Sequence, residues 1–146
     1  MAKAFSIEDG NLATVPLTSS ITQTYKDIDL TFAKKGSGDV FKKSDAAAVR
    51  QSVKNILMTN QSEKPFQPYF GGSLNNFLFE LSEEFSEIDI KETVAQAIQN
   101  YEPRARVKKV NVDLNPDYNS MKVTVEFTVV TTFETVTLEV DLVRLR

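Results

Sequence analysis

The spacing of apolar residues changes from a helical to a strand-like period partway along this 146-residue chain. Between residues 44 and 101, apolar residues recur every three or four positions, which is typical of amphipathic helices with one buried face. We therefore predict three helices in this segment. Their predicted buried faces consist of Val49, Val53, Ile56 and Leu57; of Leu74, Phe77, Leu78, Leu81 and Phe85; and of Ile90, Val94, Ala97, Ile98 and Tyr101.

Local signals indicate where these helices begin and end. Ser44 is predicted to be the N-cap of the first helix, with Asp45 in the first turn, where the helix dipole favours an anion. The segment 60–72 contains two prolines and two glycines, so we predict a loop there. Asp89, with Glu92 three residues later, resembles a capping box and predicts the start of the third helix.

After Pro103 the pattern becomes that of a β-sheet. Apolar and polar residues alternate in three stretches separated by turn residues, which predicts an antiparallel meander of three strands with one apolar face. The apolar positions are Val110, Val112 and Leu114; Met121, Val123, Val125, Phe127 and Val129; and Val136, Leu138, Val140 and Leu142. Three amphipathic helices packed on such a sheet form an α+β domain, and this is the predicted fold class.

The first part of the chain has a different composition. Residues 1–43 are polar and rich in turn signals, and only the segment 28–32 alternates like a short strand. We predict an extended N-terminal arm over residues 1–43, lying across the domain or across a neighbouring protein, and a single domain over residues 44–146. A partly disordered tail explains the same composition equally well.

Composition excludes several kinds of active site and partner. The chain has no histidine and no cysteine, so a histidine-containing triad, a thiol nucleophile and a Cys/His zinc site are excluded. Its formal net charge of −3 argues against broad binding to nucleic acid. No stretch has the apolar length of a membrane span or a signal sequence, so we expect no membrane partner and synthesis in the cytoplasm.

Carboxylates are the remaining candidates for catalysis, because a glycosidase needs two of them. The acidic residues that lie close together are Glu80, Glu83, Glu84, Glu87, Asp89 and Glu92. They fall on the outer faces of predicted helices, and no glycine or aromatic platform for a sugar lies nearby, so a solvated acidic face is favoured. We predict no catalytic residue, no metal and no cofactor. A peptidoglycan-degrading enzyme remains the distant alternative.

Glu102, Pro103 and Arg104 directly follow the third predicted helix. Proline cannot continue a helix and pushes the preceding residue toward extended geometry, so Glu102 and Arg104 should project from a stiff corner. One interpretation is a helix end with two solvated charges. The other is that Arg104 pairs with a carboxylate of another protein, in which case Arg104→Ala would leave the stability of the isolated domain nearly unchanged.

The last strand, at residues 134–144, is a candidate for pairing with another protein. A three-stranded sheet leaves unpaired backbone groups on both outer strands, and such edges are either blunted or add a strand. The segment has no proline, glycine or bulge signal, and the alternation of Val136, Leu138, Val140 and Leu142 fixes its register. The pattern alone supports blunting and strand addition equally.

Six short motifs follow one another in a defined order along the chain, with the intervals of a known family. They are Tyr-x-Asp-Ile-Asp at 25–29, Gly-Asp-Val at 38–40, the helix at 49–59, the loop at 63–71, Leu-Phe-Glu at 78–80 and Tyr-Glu-Pro-Arg at 101–104. In this order they resemble the baseplate wedge and sheath-initiator family of contractile-tailed bacteriophages, whose relatives serve type VI secretion baseplates. The resemblance covers about residues 25–146. Ser62 and Lys64 depart from the glycine and arginine that this family commonly has there.

The resemblance implies a structural protein of the virion tail baseplate that is not an enzyme. It implies that Glu102, Pro103 and Arg104 dock on a helical core bundle of other wedge proteins. It also implies that the last strand offers its edge to the first ring of tail sheath subunits, within a hetero-oligomeric assembly. A baseplate component of a type VI secretion system or of a phage-derived injection system is the nearest alternative.

Overall fold

The computed structural model describes residues 25–79, 87–115 and 119–144. Within these residues, separate helices and antiparallel strands confirm the predicted α+β class. The elements are β1 (Lys26–Ile28), β2 (Lys42–Ser44), α1 (Asp45–Met58), α2 (Leu74–Phe79), α3 (Glu87–Tyr101), β3 (Ala105–Asn115), β4 (Ser120–Val129) and β5 (Thr135–Val143).

The predicted meander is present as an antiparallel sheet with the strand order β3-β4-β5. Successive side chains of a strand point to opposite faces, so the alternating sequence gives the sheet one apolar face. Phe127 of the central strand β4 is the largest fully buried side chain among the described residues. The other buried apolar residues of the sheet are Ala105, Val112, Met121, Val123, Val125, Val129, Leu138, Val140 and Leu142.

Two helices cover the apolar face of the sheet. α3 packs against β3, whereas α1 packs against α3 and β5. The buried face of α1 includes Val49, Val53 and Leu57, and that of α3 includes Ile90 and Val94, as their helical spacing predicts. Each such side chain contributes about 1.5–3 kcal/mol on burial, so the helices hold the sheet through a continuous apolar core.

The predicted buried faces of the helices need correction at Tyr101. Tyr101 is 36% exposed, because it lies in the last turn of α3 and packs beside the 60–72 loop instead of the core. Leu81 and Phe85 lie outside the described residues, and α2 as described ends at Phe79. Ser44 does precede α1, but its side chain makes no capping hydrogen bond.

The segment before α1 forms a hairpin, not the strand predicted at 28–32. β1 pairs with β2 in antiparallel register from Lys26 opposite Ser44 to Ile28 opposite Lys42. Gln51 of α1 holds this hairpin, because its side-chain amide donates to the Ile28 carbonyl at 2.8 Å and its Oε1 accepts from Lys43 Nζ at 2.9 Å. Residues 25–43 of the segment predicted as an extended arm thus contain most of a hairpin bonded to α1, and residues 1–24 lie outside the described residues.

Candidate assembly surfaces

The turn between α3 and β3 places a glutamate inside the protein. The Glu102 amide donates to the Ile98 carbonyl at 2.8 Å, which completes the last turn of α3. The Glu102 carbonyl then accepts from the Ala105 amide at 3.0 Å, which turns the chain into β3. Pro103 lies exposed between these two bonds, where its fixed φ suits a tight corner.

Glu102 is only 1% exposed, which is rare for a glutamate without a charged partner. The partner is Arg104, whose Nε and Nη2 donate to the two carboxylate oxygens as a bidentate pair. Burial alone would raise the pKa of Glu102. Hydrogen bonds from Arg104 and from the Ser52 hydroxyl outweigh the burial and hold this pKa below its usual range. The corner is thus tied to α1 as well as to β3.

The Arg104 side chain contacts both Glu102 and Tyr25, and part of it is exposed to solvent. Its guanidinium carbon lies 4.9 Å from the centre of the Tyr25 ring, and its side chain remains 35% exposed. The hydrogen bond and the negative charge of Glu102 raise the pKa of Arg104. Two of its nitrogens thus donate to Glu102 of the same chain, and the pairing of Arg104 with a carboxylate of another protein stays a prediction.

The loop at 60–72 brings exposed aromatic side chains next to this corner. Phe66 is fully exposed and Tyr69 is 79% exposed. Tyr101, the residue before Glu102, donates from its hydroxyl to the Tyr69 carbonyl, and its ring centre lies 5.0 Å from that of Phe70. Large aromatic residues presented on a well-bonded loop are typical of protein interfaces.

The two outer strands of the sheet differ in regularity. The pairing of β3 with β4 shifts register between Val107 and Lys109, and Arg106, Lys108 and Lys109 are exposed. Bulges and lysines blunt a sheet edge against further pairing. By contrast, β5 pairs with β4 in an unbroken register from Thr135 to Val143. β5 is therefore the regular free edge of the described sheet.

Two hydrogen bonds establish which residues of β5 face that edge. The Val129 amide donates to the Glu134 carbonyl, and the Arg144 amide donates to the Asn119 carbonyl, both at 3.0 Å. Hydrogen-bonded and non-bonded pairs alternate along an antiparallel ladder, so the even-numbered residues of β5 bond to β4. The odd-numbered residues, such as Thr137, therefore direct their backbone N–H and C=O away from β4.

The apolar residues predicted to bind a partner on this strand have their side chains in the core. Leu138 and Val140 are 3% exposed and Leu142 is 7% exposed, while Val136 is half-buried. Their side chains are not available to another protein. What β5 offers at its edge is its outward backbone, together with the exposed side chains on its other face.

A groove of about 470 Å³ lies beside β5, and the sequence pattern did not predict this groove. Leu138 and Glu139 of β5 form one side, α1 forms a second, and the hairpin before α1 forms a third. The residues from α1 are Ala47, Arg50, Gln51, Lys54 and Asn55, and those from the hairpin are Asp29, Leu30, Thr31 and Lys43. The i, i+4 spacing of Arg50 and Lys54 was the available sequence signal, since it places both on one side of a helix.

The acidic residues considered for catalysis do not form a site in the described part of the chain. Glu87 is paired with Lys91 at 3.1 Å, Glu92 is exposed, and residues 80–86 lie outside the described residues. No group of three or more acidic residues that could hold a metal ion occurs among the described residues. None of the helices described in the structure is long and apolar enough to cross a membrane.

Comparison with known proteins gives consistent matches. Residues 43–134 match the family model described as baseplate wedge protein gp25. A curated relative, the baseplate wedge protein gp25 of Enterobacteria phage T4, is 29% identical over 108 residues, which cover 74% of this chain and 80% of the phage protein.

Three solved structures show the same fold at low sequence identity. A Geobacter sulfurreducens protein described as a tail lysozyme has a TM-score of 0.59 at 20% identity, over 68% of this chain and 90% of that protein. A chain of the anti-feeding prophage baseplate has a TM-score of 0.57 at 18% identity, over 82% and 86%. A chain of the postcontraction pyocin R2 baseplate has a TM-score of 0.50 at 19% identity, over 82% and 99%.

Proposed function

Because this chain belongs to the baseplate wedge protein gp25 family, it is a baseplate component of a contractile phage tail or of a related injection system, and we propose two assembly roles for it there. The first role is docking on the helical core bundle of other wedge proteins. The second is starting the tail sheath by offering the edge of β5 to the first ring of sheath subunits. The protein is proposed to assemble in the cytoplasm of the host bacterium.

The regular free edge of β5 is the observation that carries the sheath role. Strand addition draws its affinity from main-chain hydrogen bonds, so it requires a row of outward N–H and C=O groups in an unbroken register. β5 has such a row at its odd-numbered residues, whereas β3 has a bulge and exposed basic side chains. β5 is therefore the preferred acceptor of a sheath strand.

The docking role is supported by the corner and the neighbouring loop. Glu102 holds Arg104 in one orientation, and the exposed Pro103 limits the motion of the turn between them. Phe66 and Tyr69 add apolar surface beside it. A rigid basic side chain next to exposed aromatic residues is the composition of an interface centre.

Proline at Thr137 tests the sheath role, because it removes one outward N–H donor without breaking a bond to β4. We expect Thr137→Pro to fold and to join baseplates, but to start sheath on far fewer of them than wild type, counted by electron microscopy after addition of purified sheath subunits. Thr137→Val controls for the side chain. Leu114→Pro is the matched control, since it removes an outward donor from β3. Normal sheath on Thr137→Pro baseplates, with loss on Leu114→Pro baseplates, would assign the receiving edge to β3.

An enzymatic role is the distant alternative, prompted by the description of the Geobacter structure as a lysozyme. That likeness concerns the fold, and the curated relative is named as a baseplate wedge protein. We expect the purified protein to leave a peptidoglycan suspension as turbid as buffer does. Clearing of the suspension that disappears in Glu84→Gln or Glu87→Gln would contradict the structural role.

A further inference from the structure

We infer that the segment that pairs with β5 carries two acidic side chains, two residues apart, on the face that looks toward α1. This inference rests on the proposed function, in which a sheath subunit supplies the added strand. It adds the chemistry by which this chain would recognise that strand. The observation that carries it is the charge of the groove beside β5.

The position of α1 determines what the added strand would meet. α1 packs against β5, and Ala47, Arg50 and Lys54 of α1 line the groove together with Leu138 and Glu139 of β5. A further strand hydrogen-bonded to β5 would therefore lie beneath this side of α1. Alternate side chains of that strand would point toward Ala47, Arg50 and Lys54.

Most charged side chains around the groove are already paired. Lys43 lies 3.1 Å from Asp29, and Glu139 lies 2.9 Å from Lys122 on β4. Arg50 and Lys54 form no hydrogen bond or ion pair with any residue in the described part of the chain. Two cations that are unpaired within the described residues, in a groove whose two carboxylates already pair with other lysines, favour an acidic partner beside the free strand edge.

The spacing of these two cations matches that of a strand. Residues four apart on a helix are separated by about 6 Å along its axis. Alternate residues of a strand are separated by about 6.6–6.8 Å. One carboxylate can therefore face each cation, and the flexible stems of arginine and lysine absorb the remaining difference. The small side chain of Ala47, about one turn earlier on α1, leaves room for an apolar neighbour in the added strand.

Charge reversal in the groove tests this inference. We would compare Arg50→Gln/Lys54→Gln and Arg50→Glu/Lys54→Glu with wild type, using purified sheath subunits and preformed baseplates as the probe. Loss of two exposed ion pairs should weaken sheath recruitment by about tenfold, and reversal should weaken it further. The difference from wild type should shrink as ionic strength rises. Because both residues are exposed, the variants should unfold at the wild-type temperature.

Arg106→Glu/Lys109→Glu is the matched control, since it makes the same change in net charge at two exposed residues of β3. Sheath recruitment by this control should stay near the wild-type level, and an equal loss would show that only net charge matters and would overturn the inference. Lysine substitutions at acidic residues of the sheath segment should restore recruitment by Arg50→Glu/Lys54→Glu.

The charge inference and the proposed function can fail separately. If the charge-reversed variant starts sheath normally while Thr137→Pro does not, strand addition stands and the acidic partner is wrong. If Thr137→Pro also starts sheath normally, addition to β5 is itself wrong.

Discussion

Removal of the Arg104 side chain tests how the corner after α3 is held together. In Arg104→Ala, the Glu102 carboxylate stays buried but loses both guanidinium donors, and the Ser52 hydroxyl and the backbone amide of residue 104 remain. Loss of one partner from a fully buried ion pair costs about 3–5 kcal/mol. Because the Arg104 side chain is 35% exposed, water can replace part of its interaction with Glu102. We therefore expect the free energy of unfolding to fall by about 2 kcal/mol. For a domain of this size, the melting temperature should fall by about 4–8 °C.

The stability lost in Arg104→Ala should depend on pH, because Glu102 is titratable. In the wild type the pKa of Glu102 lies below its unfolded value of 4.5. The stability it contributes is therefore fully present above about pH 4.5 and is lost as the pH falls through the lower, folded pKa. Without Arg104, burial should raise this pKa, so the charged carboxylate would destabilise the variant at pH 7 and protonation would relieve it. The stability difference between the two proteins should thus be largest near pH 7 and shrink below pH 4.

Urea unfolding followed by circular dichroism at pH 7.0, 5.5 and 4.0 measures this difference. The series should include Glu102→Gln and the double variant, because a double-mutant cycle isolates the coupling of the pair. Arg106→Ala, an exposed change two residues away, is the control and should stay within about 0.5 kcal/mol of wild type. Equal unfolding of Arg104→Ala and wild type at every pH would refute the internal pair and would leave Arg104 free for a partner, which is one of the two interpretations that the sequence allows.

Three further substitutions test the frame around the proposed surfaces, the first two by urea unfolding and the third by proteolysis. Gly71→Ala should destabilise the domain by at least about 2 kcal/mol, because Gly71 has a positive φ and an added Cβ would lie 2.2 Å from the Thr59 carbonyl oxygen. Gly36→Ala is the control and should be near neutral, since an added Cβ there would have nothing within 4 Å. Equal effects of the two substitutions would contradict the predicted clash at Gly71. Phe127→Ala should cost about 3–5 kcal/mol, and a loss below 1 kcal/mol would mean that Phe127 is not in a packed core. Gln51→Ala should speed proteolysis of the hairpin before α1, and unchanged cleavage would show that its hydrogen bonds do not hold the hairpin.

The sequence predicted best where apolar residues repeat with a clear period. The faces of α1 and α3 and the three strands of the sheet follow from spacing alone, because each strip of apolar residues has only one way to become buried. Tyr101 shares the helical spacing but is exposed, since the nearby loop supplies a competing contact that spacing cannot reveal.

Features that depend on tertiary contacts could not be predicted from the sequence. The low pKa of the buried Glu102 depends in part on a hydrogen bond from Ser52 of α1, which is fifty residues away in sequence. The phase of hydrogen bonding along β5 depends on the turn before it, where Val129 pairs with Glu134. The groove beside β5 arises because a hairpin from before α1 lies near a strand from the end of the chain.

The two proposed surfaces are mechanically connected through the end of the sheet. The Arg104 carbonyl accepts from the Val130 amide at 2.9 Å, and the adjacent Val129 amide donates to the Glu134 carbonyl, one residue before β5 begins. The corner proposed to dock on the wedge is thus hydrogen-bonded to the turn that starts the strand proposed to receive the sheath. A corner docked on the wedge would therefore lie two backbone hydrogen bonds away from the start of β5. The domain would then pass the orientation of the wedge to the first sheath ring through two successive main-chain hydrogen bonds.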